Sequence, residues 1–254
     1  MQGQESEKSH ARKTPDLFQS RSPLAFPACI STAAGESGVN MDLFGRGDDV
    51  VRREDLAPGA AVLRNLVTAR APALLAAIDG VLQQAPLRNM VTPGGLTMSV
   101  RMSNCGALGW LSDRRGYRYG AVDPLSGQPW PDMPVLFREL AAEAADRIGF
   151  VDFVPDACLI NCYEPGMKLS LHQDRDERDF DAPIVSVSLG LPAVFLFGGE
   201  SRSDPARRVP LGHGDVVVWG GPSRLRFHGV LPIKEGVHPM TGRFRYNLTL
   251  RKAG

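Results

Sequence analysis

Apolar residues recur at helical spacing in two stretches of the chain. Residues 72–84 (PALLAAIDGVLQQ) place their Leu and Ile side chains on one face, and Thr68 upstream is one candidate for a helix cap. Residues 133–149 (MPVLFRELAAEAADRIG) have Pro134 in the expected first turn and end at Gly149, a residue type common at helix ends. Both stretches are predicted to be α-helices that support a sheet.

The C-terminal half shows a different pattern, because short runs of β-branched and aromatic residues alternate with Gly and Pro. These runs read ACLINCY, APIVSVSLGLP, AVFLFGG, GDVVVWGG and RYNLTLR. Such runs are typical of short strands, and the 27 Gly and 20 Pro of the chain favour many turns. The sequence therefore predicts a mainly β fold with flanking α-helices, in which an antiparallel sandwich or barrel occupies the C-terminal half.

The first 40 residues lack this organisation. They are polar, rich in Ser and Gly, and show no sustained hydrophobic period, so we expect residues 1–40 to form a mobile tail. Met41 then opens the sequence MDLF. A translation start at Met41 is a hypothesis that N-terminal sequencing of the native protein would test. Residues 41–254 are long enough to form a single domain with its own core.

The overall composition is that of a globular protein, with 43% hydrophobic residues and a formal net charge of +1. This balance argues neither for nor against a nucleic-acid partner, because a binding site can be a local basic patch. The four cysteines form no C-x-x-C pair, which favours reduced thiols. The sequence shows neither a membrane-length apolar run nor a signal-peptide pattern, so we expect a cytoplasmic protein.

A candidate metal site begins in the stretch KLSLHQDRDE. His172 and Asp174 are two residues apart, so in an extended chain their side chains project to the same side. His228, in RLRFHGV, is the natural third ligand, whereas His213 and His238 lie among Gly and Pro and fit turns better. Two imidazoles and one carboxylate on one face of a metal leave positions open, as in non-haem Fe(II) oxygenases, although zinc is an alternative.

The last predicted strand offers a site for an anion. In RYNLTLR, residues 245–251, the side chains of Arg245, Asn247, Thr249 and Arg251 share one face. Two arginines that point into a barrel are costly unless an anion pairs with them, and the planar guanidinium suits a carboxylate. A dicarboxylate that reaches from the metal to this strand would satisfy both sites. The alternative is an exposed edge strand whose arginines are solvated.

Taken together, the H-x-D motif, the F-H-G motif and the RYNLTLR strand resemble the AlkB family of Fe(II)/2-oxoglutarate-dependent alkylation-repair dioxygenases. The resemblance extends from about residue 41 to the C-terminus through the segments MDLF, MVTPGG, NCGALGW, PDACLIN, APIVSVSLGLPA and HGDVVVWGG. It implies a double-stranded β-helix, or jelly-roll, core at about residues 150–254, with N-terminal helices and a nucleotide-recognition lid at about residues 90–125. Leu96 departs from the aromatic residue expected in the lid, which puts the lid contacts and the substrate range in question.

The same resemblance implies roles for the residues that match family motifs. The ligands of Fe(II) would be His172, Asp174 and His228. The side chains that bind 2-oxoglutarate, with O₂ as the second cosubstrate, would be Asn161, Tyr163, Arg245, Asn247, Thr249 and Arg251. The side chains that contact a flipped base would be Trp110, Tyr117, Tyr119, Asp176 and Arg202.

The activity that the resemblance implies is repair of alkylated single-stranded DNA. Bases such as 1-methyladenine and 3-methylcytosine would be oxidatively demethylated, with release of formaldehyde, succinate and CO₂. Independently of the family, the stretch NCGALGWLSDRRGYRYG interleaves aromatic residues with arginines. Such a surface can stack bases and contact phosphates. The alternative is a hairpin whose aromatic residues only cover the core. The alternatives are the same chemistry on RNA, or a single-strand-binding jelly-roll module without catalysis. We expect a monomer with no membrane partner.

Overall fold

The computed structural model of the protein describes residues 50–254, so the predicted tail and Met41 lie outside the described residues. The helices of this part are α1 (Ala71–Gln84) and α2 (Val135–Asp146). Its strands are β1 (Arg52–Ala57), β2 (Ala60–Arg64), β3 (Arg88–Val91), β4 (Thr97–Gly106), β5 (Gly109–Asp113), β6 (Gly116–Gly120), β7 (Ala157–Tyr163), β8 (Leu169–His172), β9 (Ile184–Gly190), β10 (Ala193–Phe197), β11 (Arg207–Leu211), β12 (Val216–Trp219), β13 (His228–Val230) and β14 (Arg245–Arg251).

The strands form two large antiparallel sheets and one separate hairpin. The larger sheet has the order β1-β2-β12-β9-β14-β7-β4-β3, the smaller sheet has the order β11-β10-β13-β8, and β5 pairs with β6. Strands β7 to β14 divide equally between the two large sheets, which is the arrangement of an eight-stranded jelly roll. The N-terminal strands β1 to β4 extend the larger sheet at both of its edges.

Both helices pack on one face of the larger sheet. Leu74 of α1 and Phe137 of α2 share a buried core with Ile160 of β7, Val187 of β9 and Leu248 of β14. The opposite face of the same sheet meets the smaller sheet in a second core. Because both faces are covered, β7 and β9 are buried along their whole length, including polar residues such as Asn161 and Ser186.

The helix boundaries differ slightly from the predicted ones. Thr68 does not cap α1, because it starts a short 3₁₀ turn (Thr68–Arg70), and the N-cap residue is Arg70, without a side-chain hydrogen bond. Pro134 is the N-cap residue of α2 rather than a residue of its first turn, because its ψ of 139° is extended. The existence of both helices is confirmed.

Strand β14 lies in the middle of the larger sheet, between β7 and β9. The alternative of an exposed edge strand is therefore wrong, and Arg245 and Arg251 are only 2% and 6% exposed. The other strand runs predicted in the C-terminal half are present as β7, β9, β10 and β12. Within residues 50–254, no helix combines the length and the apolar character needed to span a membrane.

Candidate active site

Two histidines and one aspartate converge where β8 ends and β13 begins. His172 and His228 lie opposite each other in this antiparallel pair, with ring centroids 4.4 Å apart. The carboxylate oxygens of Asp174 lie 3.5 Å from Nε2 of His172 and 3.7 Å from Nε2 of His228. The potential ligand atoms of the three residues all lie within 4.8 Å of one another, so they could hold one metal ion.

Hydrogen bonds orient both imidazoles toward this shared point. In each histidine, Nδ1 contacts the carbonyl oxygen of the residue two positions earlier, at 2.8 Å for His172 and 3.0 Å for His228. A carbonyl oxygen can only accept, so each Nδ1 donates its proton and each Nε2 is left as the potential metal ligand.

The electrostatic environment also suits a divalent cation. Burial, together with neighbouring His172, lowers the pKa of His228 to about 4. Burial would lower the pKa of His172, but the hydrogen bond and charge of Asp174 outweigh it and raise that pKa. Burial would also raise the pKa of Asp174, but Arg251 and the two imidazoles hold that pKa well below its ordinary value. Asp174 is therefore an ionised carboxylate, and a metal would compete with a proton mainly at His172.

A row of polar side chains from β7 and β14 lies beside the histidines. In the paired strands, Arg245 lies opposite Tyr163 and Asn247 lies opposite Asn161. The side-chain oxygen of Asn247 accepts hydrogen bonds from Asn161 at 3.3 Å and from Thr249 at 3.1 Å. The alternation predicted from RYNLTLR and from Asn161-Cys162-Tyr163 is therefore present, and it directs these side chains into one cavity.

The two arginines of β14 have different partners. Arg245 donates from Nη2 to Ser188 at 2.9 Å and lies over the ring of Tyr163, 5.4 Å from its centroid. Its Nε and Nη1 have no hydrogen-bond partner among the described residues, and burial lowers its pKa. Arg251, in contrast, donates to one oxygen of Asp174 from Nε at 2.9 Å and from Nη2 at 2.6 Å. Arg245 is therefore the cation in this row that is best suited to bind a carboxylate.

The same cavity, of about 820 Å³, also contains a pair of stacked aromatic rings. Trp110 of β5 and Tyr117 of β6 have ring centroids 5.5 Å apart and an interplanar angle of 15°. Tyr117 is 47% exposed, so the hairpin aromatics do more than cover the core. Nε1 of Trp110 donates to the carboxylate of Asp176 at 2.9 Å, and Arg202 also lines the cavity.

Tyr119 differs from its predicted position, because it does not line this cavity. It pairs with Trp110 across the hairpin, and its hydroxyl donates to Oε1 of Glu177 at 2.8 Å. Oε1 of Glu177 also lies 3.2 Å from Nε of Arg251, and Oε2 lies 3.2 Å from Nη2 of Arg224. Sequence reasoning did not identify Glu177, because nothing in a charged run such as DRDERD distinguishes a buried carboxylate from a solvated one, and the sequence around Arg224 gave no signal either.

Comparisons with known proteins place this geometry in a family. Residues 59–251 match the model of the 2OG-Fe(II) oxygenase superfamily. The chain is 60% identical over 213 residues to the alpha-ketoglutarate-dependent dioxygenase AlkB of Salmonella typhimurium, and 57% identical over 214 residues to that of Escherichia coli. Each match covers 84% of this chain and 98% of the relative. The chain belongs to the AlkB family.

The fold comparison agrees with this assignment. The solved structure of OsALKBH1 matches with a TM-score of 0.67 and 28% sequence identity, over 79% of this chain and 100% of that chain. As a member of the AlkB family, the protein is a dioxygenase with a jelly-roll core that uses Fe(II), 2-oxoglutarate and O₂. The residues present fit these groups, because the His-Asp-His set supplies nitrogen and oxygen ligands and the buried Arg245 has no anionic partner within residues 50–254.

Proposed function

We propose that this AlkB-family enzyme oxidatively demethylates N-alkylated bases, such as 1-methyladenine and 3-methylcytosine, in single-stranded DNA. It consumes O₂ and 2-oxoglutarate and releases formaldehyde, succinate and CO₂. One observation carries the proposal: a single cavity contains the His-Asp-His set, a buried arginine with no anionic partner among the described residues, and a partly exposed pair of stacked aromatic rings. The His-Asp-His set can bind the metal, the arginine can bind a carboxylate of 2-oxoglutarate, and the aromatic rings can stack on the base.

In this proposal the metal is held by His172, Asp174 and His228. Fe(II), when bound there, supplies the oxidation of the methyl group at the expense of O₂ and 2-oxoglutarate. Arg245 binds the carboxylate of 2-oxoglutarate that lies farther from the metal, because its fork can donate two parallel hydrogen bonds. Arg251 lies at the other end of the cosubstrate site, where it donates a hydrogen bond to Asp174.

The polar row completes the proposed cosubstrate site. Asn161, Tyr163, Asn247 and Thr249 line the cavity between the two arginines along β7 and β14. Their amide and hydroxyl groups can donate hydrogen bonds to the carboxylate oxygens, and the hydrogen bonds of Asn247 with Asn161 and Thr249 hold these three side chains in place.

The aromatic stack serves the base. A base inside a duplex cannot reach the metal, so the target nucleotide leaves its stack, at the lowest cost in a single strand. Trp110 and Tyr117 supply stacking faces, and Tyr119 supports them from the hairpin. Asp176, which is held by Trp110, is placed to accept a hydrogen bond from the amino edge of the base, with Arg202 beside it.

Exposed cations provide contacts for the phosphates. Lys168, Arg175 and Arg202 line the cavity, and Arg114 lies at the tip of the β5–β6 hairpin. None of the four has an ion-pair partner within residues 50–254. Unpaired cations of this kind attract a polyanion even on a protein whose formal net charge is only +1.

We further propose how the chain is organised around this chemistry. The predicted domain of residues 41–254 is described from residue 50 onward, and we infer that a lid of about residues 90–125 covers a core of about residues 150–254. Leu96 is 74% exposed in this lid, so at this position an aliphatic side chain rather than an aromatic ring faces the nucleic acid. The enzyme acts as a monomer in the cytoplasm.

The decisive test measures formaldehyde released from methylated oligonucleotides. The protein is reconstituted anaerobically with Fe(II), exposed to air, and given single-stranded DNA or RNA that carries 3-methylcytosine, with and without 2-oxoglutarate. We expect release that requires 2-oxoglutarate, is faster on DNA, and is lost in His172→Ala. The matched control is His238→Ala, a histidine outside the cavity, which should keep its activity.

Other outcomes separate the alternatives. Faster release from RNA would make RNA the preferred substrate. Binding of oligonucleotides without any formaldehyde release would favour the non-enzymatic module. Release that does not depend on 2-oxoglutarate, or that persists in His172→Ala, would contradict the proposed mechanism.

A further inference from the structure

A cluster of four buried charged side chains lies next to the proposed metal ligand Asp174. We call Asp174, Glu177, Arg224 and Arg251 the buried ion cluster, and their side chains are between 2% and 9% exposed. Arg251 contacts both carboxylates, because its Nε and Nη2 donate to Asp174 at 2.9 and 2.6 Å and its Nε also lies 3.2 Å from Glu177. Arg224 lies 3.2 Å from Glu177 and donates to the backbone carbonyl of Asp174 at 2.8 Å.

The cluster is electrically balanced, since two carboxylates face two guanidinium groups. Buried charges are retained at low cost only when each one has a partner, so the loss of one carboxylate leaves an excess positive charge. If Glu177 were neutral, Arg251 would keep Asp174 as its only carboxylate partner and would lose the charge that faces its Nε from the other side. Glu177 is therefore the second charge that fixes the position of Arg251.

The cluster is also tied to the aromatic hairpin. Tyr119 donates to Glu177 at 2.8 Å, and its cross-strand neighbour Trp110 donates to the preceding residue, Asp176, at 2.9 Å. Two consecutive residues that follow Asp174 are thus fixed by two directly paired residues of one hairpin. The hydroxyl of Tyr119 is buried, and burial is the largest cause of the strongly raised pKa of this tyrosine.

We propose that Glu177 and Tyr119 are positioning residues of the metal site. Tyr119 holds Glu177, Glu177 holds Arg251, and Arg251 holds the carboxylate of Asp174 in the orientation that a metal ion requires. Residues around metal ligands commonly act in this way, and their substitution costs about 10- to 100-fold in metal affinity or activity. This inference rests on the proposed function in one respect, namely that Asp174 is a metal ligand.

A direct contact between Glu177 and the substrate is the alternative to a positioning role, but it does not fit the position of this side chain. The side chain of Glu177 is only 2% exposed and does not line the cavity. Both of its oxygens face residues of the chain, namely Tyr119 and Arg251 on one side and Arg224 on the other. Glu177 therefore acts on the chemistry through Arg251.

The test measures metal binding without turnover. Co²⁺ alone is titrated anaerobically into the wild-type protein, Tyr119→Phe and Glu177→Gln, and the dissociation constant and the visible absorption bands of bound Co²⁺ are recorded. Glu177→Gln should weaken Co²⁺ binding by about 10- to 100-fold, and Tyr119→Phe, which preserves every charge, by about 10-fold, the lower end of this range. Both variants should also shift the Co²⁺ bands, because the carboxylate of Asp174 changes its orientation.

The matched control is Tyr246→Phe. Tyr246 lies on β14 beside Arg245, its hydroxyl hydrogen-bonds to Cys162, and it does not line the cavity. The Tyr246→Phe variant should bind Co²⁺ with the dissociation constant of the wild type, even if the substitution changes the melting temperature. If Glu177→Gln fails to fold, Tyr119→Phe alone decides the question.

Two results would separate the possible failures. If Tyr119→Phe and any folded Glu177→Gln protein bind Co²⁺ within twofold of the wild type and with the same bands, the two residues have a merely structural role and the inference is wrong. If the wild type binds no Co²⁺, or if Asp174→Ala binds it equally well, the proposed metal site itself is wrong.

Discussion

At the scale of single residues, the two arginines of β14 show how one sequence pattern can serve two purposes. Both lie on the same face of the strand and both are buried. Arg251 is paired with Asp174, whereas Arg245 has donor groups without a partner among the described residues. A buried guanidinium with unsatisfied donors lowers the stability of the folded protein. A ligand carboxylate that binds these donors removes this cost, which increases the affinity for the ligand.

This difference gives a prediction for Arg245. Arg245→Ala should raise the dissociation constant of 2-oxoglutarate by more than tenfold, because it removes the charge and both donors. Arg245→Lys should have an intermediate effect, since a lysine keeps the charge but not the fork. The measurement is a titration with 2-oxoglutarate in the presence of Mn²⁺, so that no turnover occurs.

Arg243→Ala is the matched control, because Arg243 precedes Arg245 by two residues but is exposed and paired with Glu235. Its affinity for 2-oxoglutarate should equal that of the wild type. An Arg245→Ala protein that binds 2-oxoglutarate as tightly as Arg243→Ala would contradict the assignment of Arg245.

At the scale of elements, the end of β9 fixes the start of β14. Gly190 lies directly opposite Arg245 in the sheet and has a φ of +89°. A side chain at Gly190 would collide with the carbonyl of Phe244 and with the hydroxyl of Thr241. The residue is therefore restricted both by its backbone conformation and by the close packing around it.

Gly190→Ala should accordingly destabilise the protein by about 2–5 kcal/mol, the combined cost of a left-handed backbone and of overpacking. Gly166→Ala is the control, because Gly166 has a similar φ of +85° but open space around it. Gly166→Ala should cost only about 1–2 kcal/mol. Chemical denaturation of both variants gives the comparison, and equal losses would show that the contacts at Gly190 have no effect.

The elements also show what could be predicted from sequence. The period-two pattern of RYNLTLR correctly indicated which side chains of β14 face the cavity, and the periodicity of residues 72–84 indicated α1. Strand β1, RREDLA, was not predicted, because it is largely exposed at a sheet edge and its sequence carries charges instead of apolar alternation. The burial of Glu177 also escaped prediction, since its partners Tyr119, Arg224 and Arg251 are distant in sequence.

At the scale of the whole molecule, a formal net charge of +1 is combined with a local concentration of unpaired cations around the cavity. Single-stranded nucleic acid releases counterions when cations of a protein contact its phosphates. The affinity for an oligonucleotide should therefore depend on salt far more strongly than the net charge would suggest.

Each cavity cation that contacts a phosphate should contribute to this dependence. Lys168→Ala and Arg175→Ala should each reduce the slope of log affinity against log salt concentration by about 0.7. Lys234→Ala, which removes a charge that does not line the cavity, should leave the slope unchanged. Fluorescence anisotropy with a labelled single strand at several salt concentrations measures the slopes, and an unchanged slope in both cavity variants would exclude these phosphate contacts.

The most direct measurement is a crystal structure of the protein grown anaerobically with Fe(II) and 2-oxoglutarate. We expect one iron bound by Nε2 of His172, the carboxylate of Asp174 and Nε2 of His228, with the far carboxylate of 2-oxoglutarate against Arg245. Iron bound by other residues, or 2-oxoglutarate bound away from Arg245, would contradict this expectation.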